Sequence, residues 1–170
     1  MILHINDKYF LRYLLPVDSI ALFLTLSDDV NYRFTLFEPH KTVDETHAWL
    51  EKMNEGYFWV ISTQDNTAIG FIAYHSTDEA LKECRIGFHL NKEYWGYGIV
   101  PASVVVADKY LFNNTDINCI SATVKPENIQ SQKCLEKSGY TFIRTIDDYV
   151  SSVESDKSRI RYLYSKRMIV

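Results

Sequence analysis

Residues 85–103 read RIGFHLNKEYWGYGIVPAS, and their reading decides the fold. A strand-like run, Arg85 to Leu90, enters a loop with Gly96 and Gly98 two apart. The loop opens into VPASVVVADKYLF, which reads as a helix although its valines also suit a strand. Pro101 is tolerated only in the first turn of that helix, where its missing N–H would have no partner. A strand that passes through glycines into a helix start gathers free backbone N–H groups and the positive helix end at one point. An anion suits that point, above all a pyrophosphate, and glycines let backbone approach it without a Cβ in the way. The same layout also occurs as a plain connection. The loop alone therefore leaves a tight turn and a phosphate cradle both open.

Outward from this stretch, strands and helices alternate. KYFLRYLL reads as a first strand, followed by a helix over VDSIALFLTLSDD with Pro16 before it and Asp18 suited to capping. TVDETHAWLEKM is a clearer helix, with Thr42 and Glu45 in capping-box spacing and Trp49, Leu50 and Met53 at helical intervals. YFWVIST and AIGFIAYHS read as strands joined by the polar turn QDNT. After the glycine loop and its helix come a strand, CISATV, and a helix, NIQSQKCLEKSGY, that stops at Gly139. YTFIRTI and RIRYLYSK close the chain as strands. The order predicts one mixed α/β domain over residues 1–170 with an antiparallel first half.

Composition narrows the function classes. The 170 residues suffice for a core without staples. A net charge of -4 argues against a general nucleic-acid binder. Cys84, Cys119 and Cys134 are scattered, form no C-x-x-C or Cys/His ligand spacing, and fit reduced thiols in a cytoplasm without a bound metal. Charges interrupt the apolar N-terminal run, unlike a signal peptide, and no stretch of about 18 apolar residues predicts a membrane span.

About thirty residues after the glycine loop, TVKPENIQSQKCLEKSGYTF ends a strand at Pro126, places Asn128 next and runs a helix to Gly139. With RIGFHLNKEYWGYGI, FLRYLLPVDSIALFLTLSDD and FWVISTQDNTAIGFIAYH, it resembles the GNAT superfamily of acetyl-CoA-dependent N-acetyltransferases over nearly the whole chain. The branch it resembles is typified by the RimJ and RimL ribosomal-protein N-terminal acetyltransferases. The resemblance implies a GNAT-like mixed sheet of about seven strands, a central parallel pair splayed into a V, and helices on both faces. Strand Arg85 to Leu90 would splay from Ile120 to Val124. Backbone of Phe88 and Leu90 would pair with the pantetheine arm. The N–H groups of Tyr97, Gly98, Ile99 and Val100, with Gly96 nearby, would hold the pyrophosphate. Asn128 would bond CoA, and Ser131, on the same face one turn on, would protonate the departing thiolate.

The chain departs from the family at several positions. Trp95 stands where the loop usually begins with Gln or Arg, and Val100 where it ends in Gly or Ala. Ala102 replaces a glutamate frequent in the branch, Arg85 a glutamate where a base can sit, and Leu135 the tyrosine that many members use as general acid. Alternation puts His89 on the face of Arg85 and Gly87, and an ordinary pKa near 6.5 would suit a proton acceptor. A histidine packed in the sheet is the plainer reading. Cys134 reads as core. His47 reads as surface or core edge, and His40 and His75 as solvated element ends. Glu79 and Glu83 read as a charged loop, and the basic residues of DKSRIRYLYSKR as a solvated strand face. Tyr162 and Tyr164 are weak candidates for the acceptor pocket.

The resemblance implies direct acetyl transfer from acetyl-CoA to a primary amine in a ternary complex. A protein N-terminus, a polyamine and an amino sugar stay open as acceptors, and self-association into a homodimer stays open too. The alternative is an acyl-CoA-binding regulatory module without turnover. A bare scaffold, with the glycines as a turn, is the third reading.

Overall fold

Period-two apolar runs build one open eight-stranded sheet, and helices pack on both of its faces. The computed structural model describes residues 1–35, 38–53, 57–147 and 159–168. Strands β1 (Ile2–His4) and β2 (Tyr9–Arg12) lead into helices α1 (Asp18–Leu26), α2 (Asp29–Tyr32) and α3 (Val43–Met53). Then come β3 (Tyr57–Thr63), β4 (Ala68–Asp78), β5 (Glu83–Leu90), α4 (Ile99–Asn114), β6 (Cys119–Val124), α5 (Ile129–Lys137), β7 (Thr141–Asp147) and β8 (Ile160–Arg167). The order across the sheet is β1-β2-β3-β4-β5-β6-β8-β7.

Every neighbouring pair is antiparallel except β5 and β6. That parallel ladder covers only Glu83↔Cys119, Cys84↔Ile120 and Arg85↔Ser121. Beyond Arg85, β5 stays on β4 while β6 stays on β8 to Val124. The two strands thus part into the expected V.

Among the described residues the sheet has eight strands, one more than the about seven expected. The extra one, β1, is three residues long and mostly exposed, so no alternating apolar run announces it. The first predicted strand ends at Arg12 because its side chain turns inward to the start of α1. Both Arg12 terminal nitrogens donate to the Asp18 carboxylate, at 2.6 and 2.7 Å. Asp18 is therefore no cap: the N-cap is Val17, without a side-chain bond. At α3 the Glu45 N–H donates to Thr42 Oγ1, while the Glu45 carboxylate reaches back to the Lys41 N–H, close to the box that the spacing predicts. Gly139, at φ 88°, ends α5 as expected. The Tyr140 and Gly139 N–H groups return to the carbonyls of Leu135 and Glu136, a Schellman closure.

One core joins the sheet to α4 and α5 through Ile86, Leu90, Ile99, Val104, Leu111 and Leu135. The other joins it to α1, α2 and α3 through Leu22, Leu26, Tyr32, Leu50, Phe58 and Phe71. Within the first lies Asp108, fully buried, which accepts from the Tyr74 hydroxyl at 2.6 Å, the Tyr140 hydroxyl at 3.2 Å and Lys166 Nζ at 2.8 Å. Arg161 is buried as well. The basic residues of the last strand are thus not a plain solvated face; residues 156–158 of that stretch lie outside the described residues.

Candidate active site

The mouth of the V opens into a cavity of about 480 Å³. Its floor comes from β5, one wall from the glycine loop with α4 and α5, and another from residues 30–35 after α1. Phe88, His89 and Leu90 line it, as do Gly96, Gly98, Ile99 and Val100. Asn128 and Ser131 line it from α5. Tyr97 does not: its side chain is 75 % exposed, which leaves it only the backbone role foreseen for it.

Local chemistry explains the loop. A short 3-10 turn, Lys92–Tyr94, is capped by Asn91, whose side chain accepts from the Glu93 N–H at 3.0 Å. The indole of Trp95 donates to the Leu90 carbonyl at 2.8 Å and fastens the loop to the end of β5. This is the work of the side chain that departs from the usual Gln or Arg. Gly96 and Gly98 adopt φ 85° and 71°, the region that L side chains avoid. An ideal Cβ at either would meet nothing within 4 Å, so the glycines serve backbone shape and open access.

Gly98 is the N-cap of α4, and no side chain caps that helix. Helix geometry leaves the first N–H groups without an intrahelical acceptor. Ile99 and Val100 offer theirs at the positive end of a 16-residue helix. Pro101 has no N–H to satisfy. This donor set fits a diphosphate.

On α5 the Asn128 side chain accepts from the Ser131 N–H at 3.1 Å, which makes Asn128 the helix cap. Its oxygen is thus occupied and its amide NH₂ is the group left for a ligand. The Ser131 hydroxyl has no protein partner among the described residues. Cys134 lines the cavity too, and burial pushes its thiol up to about 11. It stays a neutral thiol at neutral pH, not a nucleophile.

His89 packs against the second core. Its ring stacks on Phe71 at 5.2 Å and lies 5.8 Å from Tyr32. Burial, and secondarily the nearby His40, push its pKa down to about 4 instead of the ordinary 6.5 expected from the sequence. Its folded value lies below the unfolded one. Its contribution to stability is therefore present above the unfolded pKa and lost as pH falls from about 6.5 toward about 4. His40 and His75 are lowered by burial as well and act with the same sign. The His89 ring, followed by NMR, will titrate near 4 and not near 6.5. Replacing His89 with Phe will flatten part of the acid-side fall in the urea midpoint.

The other candidates lie elsewhere. His40 is not a solvated end: its Nδ1 meets Thr46 Oγ1 at 2.9 Å beside Trp49. His47 pairs with Glu51 at the surface. Glu79 is exposed, and Glu83 faces Arg167 at the far end of β5. Leu135 is core, and Tyr164 is buried with its hydroxyl on Glu136. Neither Tyr162 nor Tyr164 lines the cavity. The sequence reading missed Asn31, Arg33, Phe34, Lys133 and Lys137. Segment 30–35 carries no motif, and the lysines look like any solvated helix face.

A second tie crosses the mouth. Asp28 caps α2 through the Val30 N–H and also meets Lys92 at 2.7 Å, which holds its carboxyl below the usual range. The helix wall and the loop wall are thereby joined. No helix among the described residues is long and apolar enough to cross a membrane.

Comparison with known proteins agrees with this geometry. The probable N-acetyltransferase YjcK of Bacillus subtilis is 31 % identical over 108 residues, 63 % of this chain and 60 % of YjcK. The chain thus matches less than two thirds of that relative's length. The solved RimL ribosomal L7/L12 alpha-N-protein acetyltransferase, in complex with coenzyme A, shares the fold at TM-score 0.87. It is 17 % identical, with 99 % of this chain and 98 % of that one covered. The microcin C7 self-immunity acetyltransferase MccE, in complex with acetyl-CoA and AMP, shares it at 0.83, again 17 % identical, over 96 % and 94 %. The acetyltransferase (GNAT) domain model matches residues 9–141, and with the splayed strands and the uncapped glycine helix it places this chain in the GNAT acetyltransferase family.

Proposed function

We propose that the chain transfers the acetyl group of acetyl-CoA to a primary amine by direct attack in a ternary complex, in the manner of the RimJ/RimL-like branch. The observation that carries this is the uncapped start of α4 at the mouth of the V. Asn128 and Ser131 of a second helix line the same cavity. The Ile99 and Val100 N–H groups would take the pyrophosphate, and the Asn128 amide a carbonyl or phosphate oxygen. The edge of β5 that leaves β6 would pair with the pantetheine arm.

The chemistry forms an N–C bond and breaks a C–S bond. One proton passes from the amine to solvent water and one reaches the thiolate. Ser131, whose hydroxyl has no protein partner among the described residues, would donate toward the sulfur. His89 is neutral at neutral pH and accepts a hydrogen bond from an amine that has already lost its extra proton. With a pKa of about 4 it does not strip an ammonium. Backbone N–H groups beside the cleft would polarise the thioester carbonyl. Three free cysteines suit a reducing cytoplasm.

Isothermal titration with CoA and acetyl-CoA, followed by thiol release over an amine panel, tests the reading. Micromolar binding with turnover is expected. Binding without turnover on any amine favours the regulatory module, and absence of binding ends both. Asn128→Ala will lower CoA affinity about tenfold and remove a cap, a stability loss of ~0.5–2 kcal/mol. Asn128→Asp keeps the cap and loses the amide donor. It should recover the stability and not the affinity.

A further inference from the structure

We infer that the acceptor carries negative charge close to its amine, and that Arg33 selects it; this rests on the transferase reading above. The chain as a whole has net charge -4, yet its cavity is cationic. Arg33, Lys133 and Lys137 line it, and none of its described lining residues is Asp or Glu. None of the three cations has an ion-pair partner among the described residues.

The three divide between two walls. Lys133 and Lys137 stand one turn apart on α5, on the helix that Asn128 begins. Their charge belongs with the phosphates on that side. Arg33 belongs to the wall after α1, with Asn31 and Phe34, on the side where His89 lies against Tyr32 of α2. Its guanidinium stands over the Phe34 ring, 5.2 Å from the centroid. The ring restrains the planar fork, whose paired donors match a carboxylate. Asp29, four residues before Arg33, forms no ion pair with it, and Asp28 is already taken by Lys92 and by its own cap.

A polyamine or polycationic amino sugar would bring further positive charge against Arg33, a repulsion that excludes a competitor as surely as contacts select a partner. The neutral His89 adds nothing to offset a cation. An acceptor with a carboxylate near the amine meets the fork instead. A free acidic amino acid and the N-terminus of an acidic peptide share that chemistry.

The test uses the whole chain with saturating acetyl-CoA and reads thiol release. The acceptors are a peptide with acidic residues after its N-terminus, the same peptide with amide side chains, the same with lysines, free glutamate, and spermidine. The acidic peptide or glutamate should exceed the amide peptide at least about tenfold in kcat/KM, with spermidine last and the preference falling with salt. The better of the two identifies the source of the carboxylate. Arg33 is exposed, so its variants should fold. Arg33→Gln should raise KM for the acidic acceptor about tenfold while calorimetry gives the same acetyl-CoA affinity. Arg33→Glu should turn the preference toward the lysine peptide. Spermidine or the lysine peptide equal to or ahead of the acidic acceptors overturns this inference alone. Loss of acetyl-CoA binding by the unmodified chain overturns the transferase reading and this inference with it.

Discussion

Arg12→Ala will cost about 3–5 kcal/mol of folding stability, the range for breaking one side of a buried ion pair. Arg12 is 6 % exposed and Asp18 3 %. All five guanidinium N–H donors have acceptors. Nε donates to Asn66 Oδ1 at 2.7 Å, and the terminal nitrogens donate to both Asp18 oxygens, the Tyr13 carbonyl and the Asn66 carbonyl. Asp18 also accepts from the Leu15 N–H at 2.7 Å. Alanine would strand a carboxylate in the interior beside a turn whose Asn66 sits at φ 67°. Arg12→Lys should fail nearly as badly, because one ammonium cannot reproduce a saturated fork. Replacing both partners, Arg12→Met with Asp18→Ala, should cost less than Arg12→Ala alone, since no charge is then left unpaired. Urea denaturation of the three variants decides it. A loss below ~1 kcal/mol for Arg12→Ala would place the pair among weak surface contacts.

The consequence reaches the site. The pair fixes the direction in which α1 leaves β2, and α1 leads to the Asp28 cap and the wall that carries Arg33. A softened start of α1 should therefore raise KM for the acceptor before it weakens acetyl-CoA binding.

Much of this fold was legible because its signals are local. The glycine loop and Gly139 each declare a backbone geometry within a few residues. Asn128 was expected to face CoA, and its capping of Ser131 adds a structural duty to that expectation. What escaped depends on distant partners. β8 slips between β6 and β7, a placement that pairs Tyr162 with both Val124 and Thr145 and that no local pattern encodes. Lys166 looked solvated until Asp108, 58 positions away, came to meet it. The low pKa of His89 comes from burial among rings of β4 and α2. Arg33 was invisible because an isolated arginine in a turn becomes a site only when a cavity forms beside it.

Gly70→Ala will damage fold and cofactor affinity together, by ~1–3 kcal/mol or more in stability. Gly70 lies in β4 opposite Leu90 of β5, with no positive φ to require glycine. The need is steric. A Cβ there would be driven into the His89 carbonyl oxygen and would lie 3.0 Å from both Leu90 Cα and Cδ1. Two of these three atoms are backbone, and a strand already bonded to its neighbour cannot yield locally. The end of β5 would have to leave β4, and it carries the Leu90 carbonyl that holds Trp95 and hence the glycine loop. CoA titration should therefore weaken along with the urea midpoint, although Gly70 does not line the cavity. Gly87→Ala is the matched control in the adjacent strand. Its Cβ would meet only His75 Nε2, at an ordinary 3.9 Å, and a strand glycine replaced without strain gains ~0.4–1 kcal/mol through the unfolded chain. Equal behaviour of the two variants would mean that β4 and β5 can separate freely at this end. The V would then be a hinge rather than the fixed seat that an uncapped helix and a paired strand edge require.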